Sequence, residues 1–473
     1  MLAAFIRVQN RHESIPSGSM NILGISNMKQ FSLLLFPFLL MCGCIAGANF
    51  KYTGSERIST ISIGSVPSSF PVNFSLFTSG SRQYAAYYDS SHQLTLASRE
   101  LHKSIWDMSK LDSKVGWDSH NYLSLILDDE GYIHLVGNMH SSPLVYFRST
   151  LPFDIHSMQA IHTMTGKDEE VTTYPVFMRG PKGELLFHYR YGRSGSGYEI
   201  FNLWDAGKRQ WKRLLDTPLT DGRGLMNAYM QGPLLGPDGW YHLLWVWRNS
   251  PDCATNHTLS YARSKDLLHW ESIRSEGVKL PITLEDNQLV IDTTSVNGGL
   301  INIGIKIGFD KIGKILIGYH KYDSLGNTQL FLARFRHGAW IHCQVTHWGY
   351  RWDFKGVGTI VNELLIEPPR FSSKIGTIVF GYHHIKYGDG QIVINDDTLE
   401  PVETQPIETT YPKELDSLRS PFPGMVVNKV FDAGNAPAGE HYLLRWETLS
   451  PNRDQQRQEN MPTNSLLELV CYE

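Results

Sequence analysis

The sequence predicts an all-β chain, a single seven-bladed β-propeller, on three observations. Apolar positions seldom follow a helical period. Short runs of Val, Ile, Leu, Tyr and Phe alternate instead with Gly, Asp and Pro turns. Five hairpins of one form recur: LILDDEGYIHLVG, VFMRGPKGELLFHY, PLLGPDGWYHLLWV, KIGFDKIGKILIGYHKY and PRFSSKIGTIVFGYHH. Each sets a glycine at a tight turn: Gly131, Gly183, Gly239, Gly313 and Gly376. The intervals of 52, 56, 74 and 63 residues fit one four-stranded blade apiece with loops of varying length.

Residues 1–44 stand outside the predicted fold. In MKQFSLLLFPFLLMCGC, Met28–Cys44, a lysine precedes roughly a dozen apolar residues, too few to cross a bilayer and the length of a signal-peptide core. Met41, Cys42 and Gly43 ahead of Cys44 resemble the lipobox of bacterial lipoproteins. The expected product is an exported protein with Met28 as its start. It is either a periplasmic or cell-surface lipoprotein anchored through Cys44, or a secreted protein. Residues 45–473 form the propeller and catalytic domain. Strands in ISTISIG and QYAAYYDSSHQLTLAS precede the five hairpins, and HYLLRWETL and SLLELVCYE supply the last blade, which ISTISIG completes. The acidic, proline-containing segment 394–424 and the polar SPNRDQQRQENMPTN read as surface loops.

With 473 residues, 41% hydrophobic and 12% aromatic, the chain can bury a large core. A formal charge of −4 offers no basic face to nucleic acid, so an anionic ligand must meet a local cluster of cations. Cys253, Cys343 and Cys471 are an odd, sparse set that reads as buried thiols and not as a disulfide framework. Cys253 has His257 four residues on and His242 before it, which would suit zinc, although no paired CxxC supports such a site. The metal is therefore unassigned, with room for a structural zinc or calcium ion, and the chain reads as a monomer.

The first hairpin brings chemistry to one end of the ring. With Asp128 and Tyr132 flanking its turn, opposed residues sum to 260, and His120 and His140 share that sum. The register thus sets the two histidines together at the end away from the turn. Six to nine residues past the other turn glycines lie Tyr189, Arg190 and Tyr191, then Arg248, then His320, Lys321 and Tyr322, then His383 and His384. A lone strand-end histidine is more often a hydrogen-bonded structural residue, and Arg190 or Arg248 could serve as an ordinary interblade ion pair. Convergence of several such residues is what marks the site. No paired-carboxylate motif accompanies them, which disfavours glycoside hydrolysis. The set suits β-elimination of a uronic acid, in which a cation neutralises the carboxylate, a base takes the C5 proton and an acid protonates the departing O4. Histidine and tyrosine can exchange such protons once their neighbours tune them, and arginine holds a carboxylate through two bonds. This elimination requires no cofactor.

DSHNYLSLILDDEGYIHLVGNMHSSPLVYFRS, FHYRYGRSGSG, NAYMQGPLLGPDGWYHLLWVWRNSPDCATNHTLSYARSKDLLHW, YHKYDSLGNTQLFLARF and HWGYRWDFKGVGTI resemble the BNR-repeat propeller proteins that include the ulvan lyases, over roughly residues 80–365. The resemblance implies a substrate canyon and β-elimination at a rhamnose-linked uronate of a sulfated, ulvan-like polysaccharide. It also implies catalytic roles for His120, His140 and Tyr189, with His120 as base, Tyr189 as acid and His140 assisting, the roles being exchangeable. Arg190, Arg193, Arg223, Tyr229, Arg248, Asn256, His257 and Lys321 are the candidate substrate-binding residues. Two rivals stand beside this reading. One is a sialidase-like glycoside hydrolase, for which the degenerate Asp-box SKDLLHW marks a blade turn more than a chemistry. The other is a glycan-binding propeller without catalysis.

Overall fold

The computed structural model describes residues 58–458 and 461–472. The expected signal peptide and the Cys44 anchor lie outside the described residues. Among the described residues the regular elements are β-strands and five short 3₁₀ turns, so the chain is all-β. Second strands of the hairpins, such as Tyr241–Arg248 and Thr377–His384, are buried at every position. A sheet covered on both faces by neighbouring sheets requires such uninterrupted apolar runs, and this stacking buries Trp245, Trp247 and Phe380.

All five turn glycines have positive φ, between 74° and 85°. At Gly131 a Cβ would also fall 2.3 Å from the ring of Phe153. The first hairpin pairs Leu123–Leu127 with Ile133–Gly137, from Leu127 opposite Ile133 to Leu123 opposite Gly137, in the register read from the sequence. The ladder ends there. The next strand, His140–Ser142, turns away to pair with Thr172–Arg179 of the following sheet.

The N-terminal strand Ile58–Val66 pairs antiparallel with the C-terminal strand Ser465–Tyr472, the closure expected of ISTISIG. Two features differ from expectation. The Gly313 and Gly376 hairpins share one nine-stranded sheet, whose halves meet in a single parallel bridge between Phe309 and Arg370. Segment 394–424 is also not wholly loop: Pro401–Gln405 adds an edge strand to Gly388–Asn395, and Lys413–Asp416 forms a 3₁₀ turn. Cys253 is buried, and Cys343 and Cys471 are half-buried.

Candidate active site

The imidazoles of His120 and His140 stack with centroids 4.1 Å apart and planes at 25°. Asp118 holds both. Its Oδ1 accepts the His120 backbone N–H at 2.9 Å and Nδ1–H at 2.7 Å, and its Oδ2 accepts from His140 Nδ1. The backbone bond two residues on is an Asx turn, which the short Asp side chain favours. A second carboxylate approaches only His120: Asp454 Oδ2 lies 3.4 Å from Nδ1, and the same oxygen accepts the Thr359 N–H at 2.7 Å.

Two imidazolium rings at this separation would repel, so one proton is favoured over two. Burial works against a charged His120, but its bonds to Asp118 and Asp454 outweigh that and raise its pKa to about 9. Burial lowers the pKa of His140, whose bond to Asp118 does not offset it, and the charge on His120 pushes it lower still. Asp118, bonded to both rings, is held well below the usual carboxylate range in spite of its burial. At neutral pH His120 is therefore the cation. His140 is neutral, with Nδ1–H on Asp118 and the Nε2 lone pair available.

Tyr174 and Tyr229 adjoin the pair. The Tyr174 ring is 6.0 Å from His120 and 6.1 Å from Tyr229. Arg190 lies 4.9 Å over Tyr174, and Arg248 lies 3.9 Å over Tyr229. Arg190 donates to the Tyr229 hydroxyl at 3.2 Å and to Thr173 Oγ1 at 2.8 Å, while Arg248 donates to Asn256 at 3.1 Å and Asn302 at 2.7 Å. Both guanidiniums are buried, and neither has a carboxylate partner among the described residues; Arg190 Nε has no hydrogen-bond acceptor. Glu199, opposite Arg190 on the next strand, feels its charge but is bonded to His188 at 3.0 Å. A buried guanidinium without a bonded carboxylate favours an anionic ligand. Burial alone would raise the Tyr229 pKa, but Arg248 and Arg190 bring it down to about 8. Burial and the neighbouring Tyr229 hold Tyr174 well above the ordinary phenol value, so it keeps its proton. Tyr174 has φ +57° beside a strand irregularity between Thr173 and Val176, a strained backbone of the kind found at functional sites.

The structure thus brings together His120, His140, Arg190, Tyr229 and Arg248, with Asn256 supporting Arg248. Tyr189 is not with them. It precedes Arg190 on one strand, so alternation sends it to the other face. There it is fully buried on Phe187, donates to the Asp168 carbonyl at 2.8 Å and accepts from Arg213 at 3.1 Å. Arg223 pairs with Glu285 at 2.7 Å and is more than half exposed. Lys321 pairs with Asp292 at 2.5 Å, Arg193 is exposed at its strand end, and His257 bonds to Asn249 and Thr258. Sequence reasoning missed Asp118, Tyr174, Thr359 and Asp454. Only Asp118, two residues before His120, left a local signal.

Among the described residues, Asp118, His120 and His140 are the one group of three whose donor atoms cluster closely enough for a metal, all within 4.8 Å. Two nitrogens and one oxygen would suit zinc. Both Nδ1 atoms, however, already face the carboxylate. The set His242, Cys253 and His257 is not assembled: His242 bonds Tyr261 and Asp238 near the Gly239 turn, while Cys253 lies next to Asn256, which pairs with Arg248 at the opposite end of the strand.

A family model described as BNR repeat-containing family member matches residues 82–348. A short-isoform ulvan lyase of Alteromonas sp. (strain LOR) is 37% identical over 75 residues, 15% of this chain and 14% of that protein. Ulvan Lyase-PL25 of Pseudoalteromonas sp. (strain PLSV) is 22% identical over 230 residues, 43% of this chain and 46% of that one. The chain therefore aligns with less than half of the length of either curated relative. A solved PL25 ulvan lyase bound to -[GlcA(1-4)Rha3S]- is similar in fold, with TM-score 0.55 at 13% identity over 86% of this chain and 100% of that one.

Proposed function

This chain belongs to the BNR repeat-containing family, and on that premise we propose that it is a polysaccharide lyase cleaving uronate linkages of a sulfated, ulvan-like polysaccharide by β-elimination. The observation that carries the reading is the pair of buried guanidiniums, Arg190 and Arg248, which form no salt bridge among the described residues and stand beside two stacked histidines. A uronate carboxylate supplies the missing anion, and its neutralisation makes the C5 proton acidic. His140, neutral and oriented by Asp118, takes that proton through Nε2. Protonated His120 adds positive charge as the carboxylate gains electron density. Tyr174, which keeps its proton, delivers it to the departing O4, leaving a C4–C5 double bond. Tyr174 thus replaces Tyr189 as the acid, and His140 replaces His120 as the base. The names of the similar proteins support ulvan as the first substrate to try. Hydrolysis is disfavoured because Asp118 and Asp454, the carboxylates at the pair, are both bonded to imidazole.

Seven blades remain our count. Dividing the nine-stranded sheet at its parallel bridge gives seven antiparallel units, the last closed by the N-terminal strand. Export with a lipid anchor at Cys44 also remains a proposal from the sequence.

Mixing the protein with ulvan tests the chemistry. Elimination raises ultraviolet absorbance in step with new reducing ends. New ends without absorbance would establish hydrolysis, and binding with neither would establish a lectin.

A further inference from the structure

The segment HWGYRWDFKGVGTI crosses from the strand Ala339–Gln344 to the next unit, and its far end reaches the active site through Thr359, 3.3 Å from His120 Nδ1. It is fastened along its length. The Tyr322 hydroxyl donates to the Trp352 carbonyl at 2.7 Å, the Cys253 N–H to the Gly356 carbonyl at 3.0 Å, and Arg453 to the Lys355 and Val357 carbonyls at 2.8 and 3.1 Å.

The near end holds an aromatic cluster that the elimination does not use. Trp348 stacks on Tyr387 at 5.4 Å and 14°, and both rings meet His384 edge-on at 4.8 Å. Tyr350 meets the same histidine at 4.8 Å. Lys386 is exposed, lies 5.7 and 5.5 Å from the Tyr350 and Tyr387 rings, and has no carboxylate partner among the described residues. Arg351, also exposed, covers Tyr322 at 3.7 Å and holds Asp353 in a solvent-exposed ion pair at 3.4 Å, a contact weak enough to yield to a ligand anion. Packing alone explains buried rings, but Tyr387 is 38% exposed. An exposed ring at Tyr387 with cations beside it, on a chain of net charge −4, matches a ligand with an apolar face and negative groups.

We propose that Trp348, Tyr387, Lys386 and Arg351 form a remote subsite for a sugar ring of the same anionic polysaccharide, away from the bond that breaks. The inference rests on the polysaccharide reading of the active site and extends the bound chain along the 347–359 segment. A pyranose face lies on the Tyr387 ring, and Lys386 and Arg351 meet its sulfate or carboxylate.

Tyr387→Ala and Lys386→Ala, both surface changes, in the full chain test the subsite by calorimetric titration with ulvan. Each variant, checked as folded by its cooperative unfolding, should bind the polymer about tenfold more weakly, and Tyr387→Phe, which keeps the ring, should restore binding. Unchanged ulvan affinity in the folded variants, or no ulvan binding by the wild-type chain, would overturn the proposal. Weakened binding by the variants, with no unsaturated product from the wild-type chain, would uphold the subsite and sink the lyase reading. Unsaturated product with unweakened variants would do the reverse.

Discussion

At the scale of residues, the two histidines differ in carboxylate supply. Among the described residues His120 has Asp118 and Asp454, whereas His140 has only Asp118. This asymmetry predicts a bell-shaped kcat/KM profile that rises below pH 6.5 as His140 loses its proton and falls near pH 9 as His120 loses its own. Asp454→Asn should move the falling limb to lower pH and leave the rising limb in place. Stability follows the same proton. The folded pKa of His120 exceeds its ordinary 6.5, so its contribution is complete below about 6.5 and is lost as pH rises through about 9. The depressed Asp118 and Asp454 act in the opposite sense: they stabilise above their ordinary 3.8 and lose that effect as pH falls through their lowered values. The Tm gap between wild type and Asp454→Asn should therefore be widest from about pH 4 to 6.5 and close towards pH 9 and above. Tyrosines separate the roles further. Tyr174→Phe should cost on the order of a hundredfold in kcat, the scale of a lost general acid. Tyr189→Phe should cost about 1 kcal/mol of stability through its lost hydrogen bonds, with little change in kcat.

At the scale of elements, hairpins were the most legible feature. A turn glycine between two apolar runs sets the register, and the constant sum of 260 holds from Leu127–Ile133 to Leu123–Gly137. Gly131→Ala tests how much that turn matters. With φ at +85° and Phe153 in the way of a Cβ, it should lower stability by roughly 1 to 3 kcal/mol, read as a drop in denaturation midpoint. The site was legible only in part. Residues seven to nine past the turn glycines do gather Arg190, Arg248 and His140, but a count does not tell which of two adjacent residues faces inward. Of the adjacent candidates Tyr189 and Arg190 only Arg190 faces the site, while Tyr174 enters through a backbone irregularity that leaves no periodic trace.

At the scale of the whole molecule, the remaining site residues arrive from distant chain positions. Asp454 belongs to a polar loop that looked like mere surface, and nothing local in SPNRDQQRQENMPTN marks one aspartate over its neighbours. Its place depends on the fold bringing the C-terminal region back to the first hairpin. The pairing of Ile58–Val66 with Ser465–Tyr472 secures that return. A chain lacking residues 58–66 should show a lower Tm and a tendency to associate, because Ser465–Tyr472 then presents an unpaired edge. It should also lose activity through Asp454. The central claim is that Arg190, Arg248 and the stacked pair act together on a uronate. Proton NMR of ulvan digested by wild type, Arg190→Ala and His140→Ala tests this most directly. We predict the vinyl proton of an unsaturated uronate with wild type and its loss, by about a thousandfold or more in initial rate, with either folded variant. A wild-type product with new reducing ends and no vinyl proton, or a folded Arg190→Ala chain as fast as wild type, would contradict it.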